Sequence, residues 1–183
     1  AIGLAGLVAP RNTGFISKTL FPLGALVGIG VGLVALDSLG SPAQTAVLVI
    51  GLPVLPFHLR LDNLSAVFAL LLGFASAGIS IYAAGYFRKG EGAAPGVLCL
   101  EYHLFLASML MVLLADDAYA FMVAWETMAL SSFFLVTTDH KHEEIRRAGF
   151  LYLLIAHIGA IGILLSFGVM TGGAGDYSFA GMR

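Results

Sequence analysis

The twenty residues AYAFMVAWETMALSSFFLVT, Ala118–Thr137, decide the fold. Apart from Glu126 they are uncharged. About 20 mostly apolar residues are what a helix needs to cross roughly 30 Å of hydrocarbon at 1.5 Å per residue. Four more stretches of the same kind surround it: Thr19–Leu36, Leu64–Phe87, Val97–Ala115 and Ala148–Met170. None of the five contains Lys or Arg, and Glu101, His103, Glu126 and His157 are the ionisable residues inside them. The expected architecture is an all-α polytopic transmembrane helix bundle of about five complete spans.

The composition of the whole chain agrees. Of 183 residues, 59% are hydrophobic and 11% charged, and the mean hydropathy is +0.95. Soluble domains carry about 25% charged residues, so too little charge is present to coat a water-facing globule. A net charge of −2 offers no basic face for nucleic acid. The single cysteine, Cys99, excludes a disulfide framework, a Cys-ligated zinc site, a complete Cys-ligated iron–sulfur cluster and a Cys-x-x-Cys-His haem attachment. The partners implied are the lipid bilayer and other membrane or peripheral proteins.

Ala1–Pro10 reads as the tail of a partial N-terminal span. No charged region precedes it, which argues against a signal peptide. Residues 1–183 are expected to form a single transmembrane domain cut from a longer subunit, because the chain stops at Arg183 in a loop with Gly172, Gly173 and Gly175. Within Ser41–Leu61 the apolar run Ala46–Leu55 is too short to span, and Pro53 and Pro56 oppose a helix. Val47, Val49 and Val54 favour strand, so a short β-like element lying on the outer surface is expected there.

Positive charge sets the orientation, since short cytoplasmic loops collect Lys and Arg. Arg11, Lys18, Arg88, Lys89, Lys141, Arg146 and Arg147 fall on one side and only Arg60 and Arg183 on the other. The second side also holds Asp37, Asp62, Asp116, Asp117 and Asp176. The loops bearing Arg88, Lys89, Lys141, Arg146 and Arg147 are therefore expected to be cytoplasmic, with the chain a multi-pass protein of the cell inner membrane.

Glu126 is the ninth residue of its 20-residue span, close to the bilayer midplane. An acidic residue there costs about 2.5–3.5 kcal/mol on insertion scales, and such residues usually face a bundle interior or a water-filled cavity. A carboxyl group poised between desolvation and a stabilising partner can take up and release a proton. The plainer reading is a protonated Glu hydrogen-bonded to a neighbouring helix for packing. His157, tenth in its span, is again near mid-depth, and imidazole suits proton transfer; a core histidine bonded to a carbonyl is its plainer reading.

His103, Glu101 and Asp116 are accessory candidates. Glu101 and His103 are two apart, so they do not share a helix face, and Glu101 is expected to snorkel toward the interface. Asp116 and Asp117 form a solvated turn with Asp117 as the N-cap of the Glu126 helix; a proton exit mouth is the alternative. Thr127, Ser131 and Ser132 are expected to bond back to helix carbonyls. Glu143 and Arg147 are spaced as an i,i+4 ion pair. Gly24, Gly28 and Gly32 make a small-residue stripe for close helix packing, and Gly159 and Gly162 are expected to do the same beside His157.

The run Leu61-Asp62-Asn63-Leu64-Ser65-Ala66, then Trp125-Glu126 followed by Leu130-Ser131-Ser132-Phe133-Phe134-Leu135-Val136, resembles the antiporter-like subunit family. That family comprises the L, M and N chains of respiratory complex I, Mrp cation/proton antiporter subunits and the large membrane subunit of group 4 nickel–iron hydrogenases. Ala148-Gly149-Phe150-Leu151-Tyr152, with Ile155-Ala156-His157, looks most like the formate hydrogenlyase and hydrogenase-4 component B branch. The resemblance implies a proton-translocating subunit of an electron-transfer complex, with no redox site or cofactor of its own and with protons, or sodium ions, as the moving charge. It implies that Glu126 is the glutamate of the fifth helix of a half-channel and pairs with a lysine on a broken seventh helix, beyond Arg183. It also implies that Ser41–Leu61 links neighbouring subunits.

Two other classes compete. In a haem-bearing anchor, His103 and His157 would be axial ligands on two helices. In a purely structural scaffold, Glu126→Gln would leave proton movement intact.

Overall fold

The computed structural model describes residues 1–52, 55–86, 93–172 and 177–182. Pro53, Val54, Phe87, Arg88, Lys89, Gly173, Gly175, Asp176 and Arg183 lie outside the described residues.

A short helix α1 (Ile2–Gly6) opens the chain. Next, α2 (Thr13–Phe15), a π turn (Ile16–Leu20) and α3 (Phe21–Ser38) run on as one rod of 26 residues. Asn12 caps its start by accepting the Phe15 N–H. The wide turn has a local cause: Pro22 has no N–H to give the preceding turn, and the Phe21 N–H instead reaches back five residues to the Ile16 carbonyl. Strands β1 (Gln44–Leu52) and β2 (Leu55–Leu61) follow, then α4 (Asn63–Tyr86), α5 (Pro95–Leu114), α6 (Ala118–Val136) and α7 (Glu143–Met170). Five helical segments are long and apolar enough to cross a membrane, as expected.

Their boundaries shift outward in two places. The first span takes in Lys18, and the last begins at Glu143 rather than Ala148. Glu143 and Glu144 occupy the first turn of α7, where negative charge favours the unpaired N–H groups, so polar residues extend the helix past the hydrocarbon.

Packing follows the rule for lipid rather than for water. The buried residues of α4 are Ala66, Ala69, Gly73, Ser76, Ala77, Ser80 and Ala83, a stripe of small side chains at helical spacing. Large apolar residues such as Leu71, Ile81 and Tyr82 turn outward. With no hydrophobic force between helices in lipid, close backbone approach supplies the contact energy. The Gly24–Gly28–Gly32 stripe meets this face: a Cβ on Gly28 would lie 2.6 Å from Ser76 Oγ, and one on Gly73 would lie 2.5 Å from Gly32 N. By contrast, among the described residues nothing lies within 4 Å of a would-be Cβ on Gly159 or Gly162. Gly149 is the closely packed glycine of α7, against Thr137 and Phe133 of the α6 end.

The Ser41–Leu61 segment is a two-stranded antiparallel hairpin, with a register shift between Leu48 and Gly51, where Gly51 has φ 114°. It lies across the end of the bundle where α5 passes to α6: Leu59 bridges Ala115, and the Asp116 N–H donates to the His58 carbonyl at 2.9 Å. Phe57 is buried edge-on against Tyr119, centroids 5.6 Å apart. Asp62, at the foot of the hairpin, caps α4 by accepting the Ser65 N–H at 2.9 Å, and that bond holds its carboxyl below the ordinary Asp range.

Candidate functional site

Helices α6 and α7 are antiparallel neighbours joined by a six-residue loop, 137–142, so residues equidistant from that loop face each other across one seam. Phe121 meets Phe167 edge-on at 5.7 Å. Next along the seam Glu126 meets His157, with Oε2 3.4 Å from Nε2. Nearer the loop Ser132 meets Tyr152, hydroxyl to hydroxyl at 2.5 Å. The two residues singled out as mid-depth candidates are thus brought together.

The imidazole's chemistry is set by its other nitrogen. His157 Nδ1 lies 2.9 Å from the Leu153 carbonyl oxygen, which can only accept, so Nδ1 carries a proton. In the neutral ring Nε2 is then a bare lone pair facing the Glu126 carboxyl. A single proton can rest on Oε2 or on Nε2, giving either two neutral groups or an imidazolium–carboxylate pair. At 3.4 Å the two atoms stand just beyond hydrogen-bond length, so a small side-chain movement closes the gap.

The pair is bounded differently at its two ends. Toward the hairpin, Phe121 stacks on Trp125 at 5.6 Å and contacts Phe167 and Phe179, an apolar plug. Toward the α6–α7 loop lie the Ser132 and Tyr152 hydroxyls. Sideways it is open: the Glu126 and His157 side chains are 36% and 44% exposed, which leaves room for a third group to reach them.

Thr127, Ser131 and Ser132 bond back to the Val123, Thr127 and Ala129 carbonyls, as expected. The second bond of Ser132, to Tyr152, was not foreseen. Its sequence signal is present, since Ser132 and Tyr152 sit almost as far from the loop as each other.

The accessory candidates are scattered. His103 turns into α5's contact with α3: its Nδ1 is 2.8 Å from the Cys99 carbonyl, and a Cβ on Gly24 would stand 2.6 Å from its Nε2. The two histidines of the haem alternative therefore face different helices, one α3 and the other α6. Glu101 has one carboxylate oxygen, Oε2, enclosed and without a hydrogen-bond partner among the described residues. Asp116 is tied through its backbone to His58 and to the Phe179 N–H.

Asp117 does more than cap α6. Its Oδ1 accepts the Ala120 N–H at 2.6 Å, while Oδ2 accepts the His58 N–H at 2.8 Å and faces the His58 ring Nδ1 at 3.1 Å. One carboxylate thus fastens the hairpin to the head of the Glu126 helix. Among the described residues no ion pair joins Glu143 to Arg147; Arg146 instead donates to the His140 and Lys141 carbonyls of the loop.

Residues 115–183 match the family described as NADH:quinone oxidoreductase/Mrp antiporter, transmembrane. These are the residues that carry the Trp125-Glu126 helix and all of α7. The chain is similar to the antiporter-like membrane subunits. It is 37% identical over 125 residues to hydrogenase-4 component B of Escherichia coli, covering 68% of this chain and 18% of that protein. It is 34% identical over 158 residues to an uncharacterized protein of Mycobacterium tuberculosis, covering 85% of this chain and 24% of that one. Its fold superposes on a chain of the Mrp complex from a Dietzia species with a TM-score of 0.73 and 25% identity, over 99% of this chain and 20% of the other. It spans about a quarter of the length of the first curated relatives it matches. Five spans together with this family match make it a multi-pass membrane protein of antiporter-like architecture.

Proposed function

We propose that the chain is the portion of a proton-translocating membrane subunit in which Glu126 and His157 hold and exchange the moving proton, coupled to redox chemistry elsewhere in a respiratory or hydrogenase complex. The observation that carries this is the 3.4 Å approach of two titratable groups on adjacent spans, with the histidine tautomer set by the Leu153 carbonyl. A charge in the membrane interior is retained where a pathway needs it.

The step balances without any other reagent. Protonated Glu126 gives its Oε2 proton to the Nε2 lone pair, leaving carboxylate and imidazolium; the return transfer restores the neutral pair. Coulombic attraction in a low-dielectric setting stabilises the charged form, and desolvation opposes it, so the two states can lie close in free energy. A cation arriving at the open side favours the carboxylate and drives the proton onward. The 115–183 family match and the component B relationship support this reading.

In this reading residues 1–183 act as one transmembrane domain within a larger assembly of membrane and peripheral subunits. Lys141 in the α6–α7 loop and Arg146 and Arg147 at the start of α7 face the cytoplasm from the inner membrane, and the hairpin lies outside. A subunit of an Mrp-type Na+/H+ antiporter is the second reading, favoured by the structural likeness to the Dietzia Mrp complex chain.

The test is Glu126→Gln in the full-length subunit within its complex, reconstituted in vesicles with proton flux and turnover measured together. Coupled flux is expected to vanish or fall sharply while the complex still assembles. Unchanged flux overturns the proposal. Sodium-dependent flux without redox turnover selects the antiporter reading.

A further inference from the structure

Hydroxyls are unevenly spread along the two helices of the Glu126–His157 seam. On the loop side of the pair, α6 carries Thr127, Ser131 and Ser132, and α7 carries Tyr152. On the hairpin side, α7 from Ile158 to Met170 carries one hydroxyl, Ser166, which is spent on the Ile163 carbonyl at 2.6 Å. The polar side chains of α6 from Ala118 to Trp125 are Tyr119, whose ring packs on Phe57 of the hairpin, and the Trp125 indole.

Aromatic rings take the place of hydroxyls there. Phe121, Phe167 and Phe179 close a triangle, with centroids 5.7 Å apart for the first pair, 5.6 Å for Phe167 and Phe179, and 6.2 Å for Phe121 and Phe179. Rings at these separations are in direct contact. Trp125, next in the chain to Glu126, stacks on Phe121 at 5.6 Å and carries the cluster up to the pair. All four rings are partly buried, while Leu164, Leu165 and Val169 of α7 are exposed.

The three corners come from three segments: α6, α7 and residues 177–182. The last is held by its backbone. Ala118 N–H donates to the Tyr177 carbonyl at 2.9 Å, and Phe179 N–H donates to the Asp116 carbonyl at 3.0 Å, so that Asp117 and Ser178 pair as in a two-strand ladder. The Phe179 ring is therefore positioned at the head of α6 by bonds that its own side chain does not make.

We propose that Phe121, Phe167 and Phe179 are a dry barrier that closes the hairpin end of the seam, so that no proton passes straight between that end and the Glu126–His157 pair. This rests on the reading of the pair as proton carriers. A proton crosses a protein along hydrogen-bonded groups and water; apolar cavities stay dry, and hydrophobic constrictions exclude water. A translocating subunit has to avoid opening its carrier to both faces of the membrane at once, and an apolar seal beside the carrier prevents that short circuit.

The test is passive proton leak without redox turnover, through the full-length subunit in its complex, in vesicles under an imposed pH difference. Phe121→Ser and Phe179→Ala are each expected to raise the leak several-fold, and Phe134→Ser, at an exposed ring on the loop side, to leave it unchanged. Phe179→Ala keeps the backbone ladder, so it carries the test where Phe121→Ser does not assemble. Adding Glu126→Gln to a leaky variant is expected to return the leak to the wild-type level, which loosened packing alone would not do. A wild-type leak in the assembled ring variants overturns the barrier, and so does a leak that Glu126→Gln leaves in place or that Phe134→Ser equals. In each of those cases the carrier reading still stands if Glu126→Gln alone abolishes coupled flux; unchanged coupled flux in that single variant strikes the carrier reading itself.

Discussion

The Tyr152 and Ser132 hydroxyls meet at 2.5 Å across α6 and α7, on the loop side of the Glu126–His157 contact. The two pairs lie on one antiparallel seam, so the hydroxyl contact fixes the rotation of both helices where the carboxyl and the imidazole must face. Interhelical hydrogen bonds inside membranes average about 0.6 kcal/mol. Tyr152→Phe should therefore lower stability only slightly, by about that amount, in a reversible unfolding assay. Proton flux should fall more than that small loss implies, because the seam loses its polar alignment next to the pair. Wild-type flux would show that packing alone sets the facing.

His157 differs from Glu126 in having a plain structural partner, the Leu153 carbonyl. In His157→Ala a partial loss of flux is expected, since Glu126 keeps its carboxyl but loses the neighbouring lone pair. His157→Gln should also lose flux, for its amide carries no titrating proton. The pH profile of flux separates the roles: a packing residue leaves its shape unchanged, and a proton-exchanging one alters it.

Asp117 holds two structures with one carboxylate, the first turn of α6 and the His58 end of the hairpin. Loss of an N-cap costs about 1 kcal/mol. Asp117→Ala should cost at least that and should also free the hairpin, seen as faster amide exchange at Phe57 and His58. Asp117→Asn keeps an acceptor and should lose less. Equal exchange in all three proteins would show that the Leu59–Ala115 bridge holds the hairpin alone.

Gly73 faces Gly28 and Gly32 so closely that any side chain meets α3 backbone. Gly73→Val should destabilise by about 1–3 kcal/mol, the usual range for overpacking. Gly30→Val, one face away with open space around it, should be near neutral. Thermal unfolding in detergent compares them, and equal midpoints would mean that α3 and α4 shift apart freely.

Hydropathy along the chain carried the span count and the β element within Ser41–Leu61, and it placed Glu126 and His157 inside spans. Each follows from length, proline placement and the cost of charge in oil, which depend only on distance along the membrane normal. It could not say which way a side chain points around its helix axis. That angle comes from packing, so the pairing of Glu126 with His157, the enclosure of Glu101 and the turn of His103 toward Gly24 became visible only once the helices were set side by side. The glycines make the same point: Gly24, Gly28 and Gly32 meet a neighbour while Gly159 and Gly162 meet none among the described residues, though all five sit inside apolar spans. A small residue permits close approach, but an adjacent helix must be there to use it.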